Sequence, residues 1–89
     1  MIEVAFSSSF LRCYKKLIKG NSDLEIQFKN KLSIFQNNPF DSRLKTHKLS
    51  GKLQHIWSYS INLSIRVTFC FVESNKVIFE YIGTHNEVY

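Results

Sequence analysis

The chain has 89 residues, with 12 Lys plus Arg against 7 Asp plus Glu, a formal charge of +5. Apolar residues make up 44 % and aromatic residues 15 %, with only 3 Gly and 1 Pro. That composition excludes wholesale disorder, points to a single domain over residues 1–89, and leaves no room for separate cofactor and substrate domains.

Ile2, Val4 and Phe6 alternate with Glu3, a short strand pattern. Ser7, Ser8 and Ser9 can each cap a following helix. Phe10, Leu11, Tyr14, Leu17 and Ile18 recur every three or four residues, with Arg12, Lys15, Lys16 and Lys19 on the other face. This predicts an amphipathic helix that stops at Gly20-Asn21. Ser22 and Glu25 fit a capping box for a second helix. Its stripe is Leu24, Phe28, Leu32 and Phe35, and Asn37-Asn38-Pro39 ends it.

Residues 40–54 lack periodicity and read as a loop holding Arg43, Lys45, Lys48 and Lys52 against Asp41. Three strand patterns follow. His55, Trp57, Tyr59 and Ile61 share one side of the first. Ile65, Val67, Phe69 and Phe71 alternate with Arg66, Thr68, Cys70 and Val72 in the second. Val77, Phe79 and Tyr81 alternate with Ile78, Glu80 and Ile82 in the third. Short connections at Asn62 and at Ser74-Asn75 make these an antiparallel meander. The expected fold is α+β, a small twisted antiparallel β-sheet with two N-terminal helices packed on one face, in the order β-α-α-β-β-β. The other face has no element left to cover it.

No apolar run reaches the roughly 18 residues of a membrane helix, and Met1-Ile2-Glu3-Val4 lacks the start of a signal peptide. The expected address is the cytoplasm, with no membrane partner. Cys13 and Cys70 are then expected as two buried thiols in a reducing compartment, and no paired-cysteine motif supports zinc. The positive charge attracts polyanions. Nucleic acid, an acidic protein partner, or solubility alone would each account for it.

Glycine-rich nucleotide loops, a metalloprotease helix, a calcium loop and an esterase elbow are all missing from the sequence. What remains is a basic, histidine-rich group: Arg43, Lys45, His47, Lys48, Lys52, His55, Arg66 and His85. Such residues suit phosphate chemistry, in which a base takes a proton, cations hold the growing charge, and an acid protonates the leaving oxygen. On RNA the substrate's own 2′-hydroxyl can be the nucleophile. Arg66 interrupts an apolar strand out of phase with Ile65, Val67 and Phe69, which would place its fork on the uncovered face. A cross-strand partner for Glu80, or an edge charge against sheet pairing, would also explain it. Trp57 reads as core before base platform, and Tyr89 as a terminus or a stacking ring.

Leu49-Ser50-Gly51, Trp57-Ser58, Ile65-Arg66-Val67-Thr68-Phe69 and Ile82-Gly83-Thr84-His85-Asn86-Glu87-Val88-Tyr89, in this order, resemble the RelE/ParE superfamily of bacterial toxins. The YoeB-like and YafQ-like branches are nearest. The resemblance implies the fold derived above and a ribosome-dependent mRNA endoribonuclease of a type II toxin–antitoxin system. Such a toxin inhibits translation by cutting mRNA in the A site of the 70S ribosome. The 2′-hydroxyl attacks the adjacent phosphate with no metal or other cofactor. Implied partners are a cognate antitoxin, mRNA and the ribosome, with operator DNA reached only through the antitoxin complex.

Residue by residue, Arg66 falls where the YoeB-like pattern has its phosphate-binding strand arginine. His85 falls at the late histidine of both branches, the implied proton-transfer group, and Tyr89 at the aromatic that ends the YafQ-like pattern. His47 resembles the histidine before the YafQ-like loop. Ser64 and Ile65 replace the YafQ-like acid and tryptophan, and the YoeB-like glutamate has no clean counterpart. His85 is therefore expected as acid or base, with His47 or His55 as its complement. Arg43, Lys45, Lys48, Lys52 and His55 would hold RNA or ribosome phosphates. The alternatives are a ParE-like DNA gyrase inhibitor and a non-catalytic RNA-binding relic of the same fold.

Overall fold

A computed structural model describes residues 1–51 and 55–84. The elements are β1 (Glu3–Phe6), α1 (Ser8–Ile18), α2 (Ser22–Asn37), a 3-10 turn (Ser42–Leu44), β2 (His47–Lys48), β3 (Trp57–Ser60), β4 (Ile65–Glu73) and β5 (Lys76–Thr84). Among the described residues no helix is long and apolar enough to cross a membrane.

The helices begin where side chains can satisfy their free amides. Ser7 caps α1 by accepting from the Phe10 amide, and its hydroxyl donates to the Glu80 carbonyl at 3.1 Å. One serine thus starts the helix and ties it to β5. α1 gives way at Gly20, whose φ of +70° is the left-handed value that glycine adopts without penalty. The cap of α2 is Asn21, which accepts from the Leu24 amide at 3.1 Å. The cap thus falls one residue earlier than expected, and Ser22, expected to open a capping box with Glu25, already lies inside the helix. Leu11, assigned to the apolar stripe of α1, is exposed.

The sheet runs β1-β5-β4-β3-β2. The meander of β3, β4 and β5 is antiparallel as expected, but β1 joins the outer edge of β5 in parallel, which makes the sheet mixed. An all-antiparallel sheet is therefore corrected. The helical hairpin carries the chain from β1 back over the sheet, and β1 returns to β5 in the same direction. Residues 40–51 also hold more order than their periodicity suggests, since β2 pairs with β3 there.

Both helices cover one face. Phe35 of α2 is fully buried and meets Tyr59, Phe69 and Phe79 from three strands, with ring centroids 4.9–5.3 Å apart. Phe10 and Phe28 close on Phe79 from the other end. Removing a ring at such a centre typically costs about 3–5 kcal/mol.

The register slips between Thr68 and Phe69, where Thr68 faces Tyr81 but Phe69 faces Phe79. Glu80 is the extra residue, a β-bulge. Beyond it the alternation of β5 reverses, so Ile82, not Tyr81, is buried beneath the helices. A strict period of two cannot anticipate that inversion.

Candidate functional site

Directly opposed residues on paired strands point to one face. Two rows therefore cross the face away from the helices. One is His47, Ser58, Thr68 and Tyr81, and the next is Ser60, Arg66 and Gly83. Arg66 sits on β4, the middle strand, opposite Ser60 and a glycine that contributes no side chain. His47 lies one row away and two strand spacings across, about 10 Å. Arg66 and His47 therefore share the face. Its centre is not bare, because Ser58 and Thr68 are buried.

The position of Arg66 settles two alternatives. A central strand cannot carry an edge charge, and its neighbour across the β4–β5 pair is Gly83 and not Glu80. Glu80 instead accepts from the Cys70 thiol at 3.5 Å. Burial and that carboxylate push the Cys70 thiol pKa up, which keeps it protonated. Cys13 and Cys70 are free, and both are half-buried where buried thiols were expected.

Arg66 reaches toward the β3–β4 turn. Its Nη1 donates to the Asn62 carbonyl at 2.7 Å and more weakly to the Ile65 carbonyl at 3.4 Å. There it lines a cleft of about 280 Å³ together with Lys31, Arg43 and Lys45. Backbone carbonyls orient two of these cations, since Lys31 Nζ donates to the Arg43 carbonyl at 3.2 Å. Arg43 makes a two-point pair with Asp41, with Nε and Nη2 each 2.9 Å from a carboxylate oxygen. These hydrogen bonds hold the Asp41 carboxyl well below the usual range, at about 2. Asp41 also caps the 3-10 turn by accepting from the Arg43 amide. Asp41 thus orients Arg43 and offsets its charge.

Lys45 has φ +53° and ψ +39°, left-handed geometry in a residue with a Cβ. Its carbonyl lies 3.1 Å from Nδ1 of His47. A carbonyl only accepts, so this contact is a hydrogen bond when Nδ1 carries a proton.

The structure brings Arg43, Lys45, His47 and Arg66 to one side. Lys48 goes elsewhere: it opposes Trp57, and its ammonium lies 5.8 Å from that ring. His55 is exposed and precedes β3, so it does not continue the strand as expected. Lys52, His85 and Tyr89 lie outside the described residues. Lys31 was missed. Its position off the apolar stripe of α2 marks it only as solvated, and the turn at 42–44 that folds back beside it has no periodic signature. Among the described residues no three His, Cys, Asp or Glu side chains gather to hold a metal ion.

No family model matches the sequence, and no curated protein does. Solved structures do match. A toxin from Helicobacter pylori is 21 % identical over all of both chains, with a TM-score of 0.77. YafQ in the Escherichia coli DinJ–YafQ complex is 18 % identical over all of this chain and 99 % of that one, at 0.79. YoeB from Staphylococcus aureus is 20 % identical over 94 % of this chain and 97 % of that one, at 0.76. Identities this low speak for architecture, and they agree with the element order and sheet described above: the chain has the RelE-like α+β fold of the YafQ and YoeB toxins.

Proposed function

We propose that this protein is the toxin of a toxin–antitoxin pair and an endoribonuclease that cuts mRNA in the ribosomal A site. The observation that carries the reading is Arg66 on the central strand, sharing its face with His47 and its cleft with Lys31, Arg43 and Lys45. A gyrase inhibitor needs no such union of a phosphate fork with a proton-transfer group.

In this reading a base removes the 2′-hydroxyl proton, and the 2′-oxygen bonds to the neighbouring phosphorus. The bond from phosphorus to the 5′-oxygen breaks, and an acid protonates that oxygen. The products are a 2′,3′-cyclic phosphate and a 5′-hydroxyl. Arg66 offsets the charge that grows on the phosphate oxygens. His47 is one proton-transfer group and His85 the other, Tyr89 is the stacking ring, and the cations of the cleft hold RNA. The DinJ–YafQ complex supports a cognate antitoxin for this chain as well.

Primer extension on mRNA in a purified translation system, with and without ribosomes, tests the proposal. Cleavage only on ribosomes, at fixed positions within A-site codons, is expected. His85→Ala should lower it by orders of magnitude while the fold persists. Intact mRNA in the presence of folded protein would refute the reading.

A further inference from the structure

Edge strand β2 divides its two side chains between the faces of the sheet. His47, opposite Ser58, belongs with Arg66, whereas Lys48, opposite Trp57, belongs to the helix side. Beyond the end of α2, that side carries a second cluster. Phe40 meets Trp57 edge-on at 5.3 Å and lies nearly parallel to Phe71, with centroids 6.1 Å apart. Lys48 stands over Trp57 within cation–π range. Phe71 in turn touches core Phe69, so the buried aromatic array extends outward to the surface. Phe40, its outermost ring, is 53 % exposed.

A single exposed phenylalanine is ordinary. This one differs in its setting. It is anchored against two other rings and flanked by a lysine. It also lies just before the turn that carries Arg43 and Lys45. Residues 40–48 hold three cations against one acid, Asp41, which pairs with Arg43. Ring faces beside cations are what unpaired nucleotides use: bases stack on the rings whatever their sequence, and the phosphates meet the positive charges.

We propose that Phe40 and Trp57, with Lys48, form a stacking platform for an unpaired base of single-stranded RNA flanking the phosphate at Arg66. The strand would leave the cleft of Arg66, pass Arg43 and Lys45, and turn around the short edge strand β2 to reach the rings. The inference rests on the reading that the Arg66 face acts on RNA, but it concerns binding and not cutting.

Trp57 is the sole tryptophan, so its fluorescence reports on the platform directly. The protein is titrated with a fully 2′-O-methylated oligoribonucleotide, which cannot be cut, and with inorganic polyphosphate, which has charge but no bases. The oligonucleotide should quench Trp57 and polyphosphate should not. Phe40→Ala and Phe40→Leu should each weaken oligonucleotide binding about 10-fold, Phe40→Tyr should restore it, and polyphosphate binding should stay unchanged. Phe40 is exposed enough for these variants to fold, and circular dichroism checks that they do. Equal quenching by polyphosphate or by polyglutamate, or unaltered binding by Phe40→Leu, would overturn the platform. Quenching by the oligonucleotide, with mRNA left intact on ribosomes, would retain the platform and refute the cleavage reading alone.

Discussion

Asp41 restrains the cleft, and replacing it should strengthen RNA binding. Lys31, Arg43, Lys45 and Arg66 bring four positive charges, and Asp41 cancels one of them through its two-point pair with Arg43. The local charge is +3, and Asp41→Asn raises it to +4. Each single-strand phosphate neutralised contributes about −0.7 to the slope of log affinity against log salt. The slope should steepen from about −2.1 to about −2.8. One unit charge acting at about 4 Å through water changes affinity roughly fivefold at low salt. Asparagine is itself a good cap, so the turn at 42–44 should survive.

The pH dependence makes the test sharper. Hydrogen bonds from Arg43 hold the Asp41 carboxyl at about 2. A lowered carboxylate pKa means that the pair's contribution is present above about pH 4 and is lost only as pH falls through about 2. The affinity gap between wild type and Asp41→Asn should therefore be the same at about pH 7 and about pH 4.5, because an unpaired carboxyl protonates near 3.9 and this one lower. Fluorescence anisotropy with a 2′-O-methyl oligonucleotide over a salt series measures both quantities. An unchanged slope, or a gap already closing at pH 4.5, would refute the charge assignment.

Two further substitutions separate stability from binding. The Tyr59 hydroxyl is buried and has no hydrogen-bond partner among the described residues, and burial pushes its pKa far above the ordinary value. Tyr59→Phe should stabilise the protein by about 1 kcal/mol, seen as a higher urea midpoint with an unchanged m value; destabilisation would show that the hydroxyl has a partner. Lys45→Gly relieves left-handed geometry worth about 1 kcal/mol, so stability should hold or rise slightly in the same assay. Oligonucleotide affinity should fall, with a salt slope shallower by about 0.7, and unchanged affinity would remove Lys45 from the cleft.

Local pattern carried the helices, the meander and the orientation of Arg66. Each follows from side chains a few residues apart: the stripe of Leu24, Phe28 and Phe35, or the alternation about Arg66. Whatever depends on distant pairing was hidden. The parallel docking of β1 on β5 joins residues more than 70 positions apart, such as Val4 with Val77. The bulge at Glu80 exchanges Tyr81 for Ile82 in the core without changing the residue types present. In the candidate site, Arg66 and His47 were legible as chemistry and as members of one face only after β2 appeared. Lys31 joins them through the fold-back after Pro39. Lys48 was grouped with the other cations because a loop gives no face, whereas a two-residue strand places it beside Trp57.

The most direct measurement of the central claim is the single-turnover rate of mRNA cleavage on programmed ribosomes by wild type, Arg66→Lys and Arg66→Ala. Lysine keeps the charge but loses the planar fork. If Arg66 stabilises the transition state, Arg66→Ala should slow cleavage by about 10²–10³, with Arg66→Lys between it and wild type and all three equally folded. Wild-type rates in folded Arg66→Ala would contradict the assignment of this face as the catalytic one.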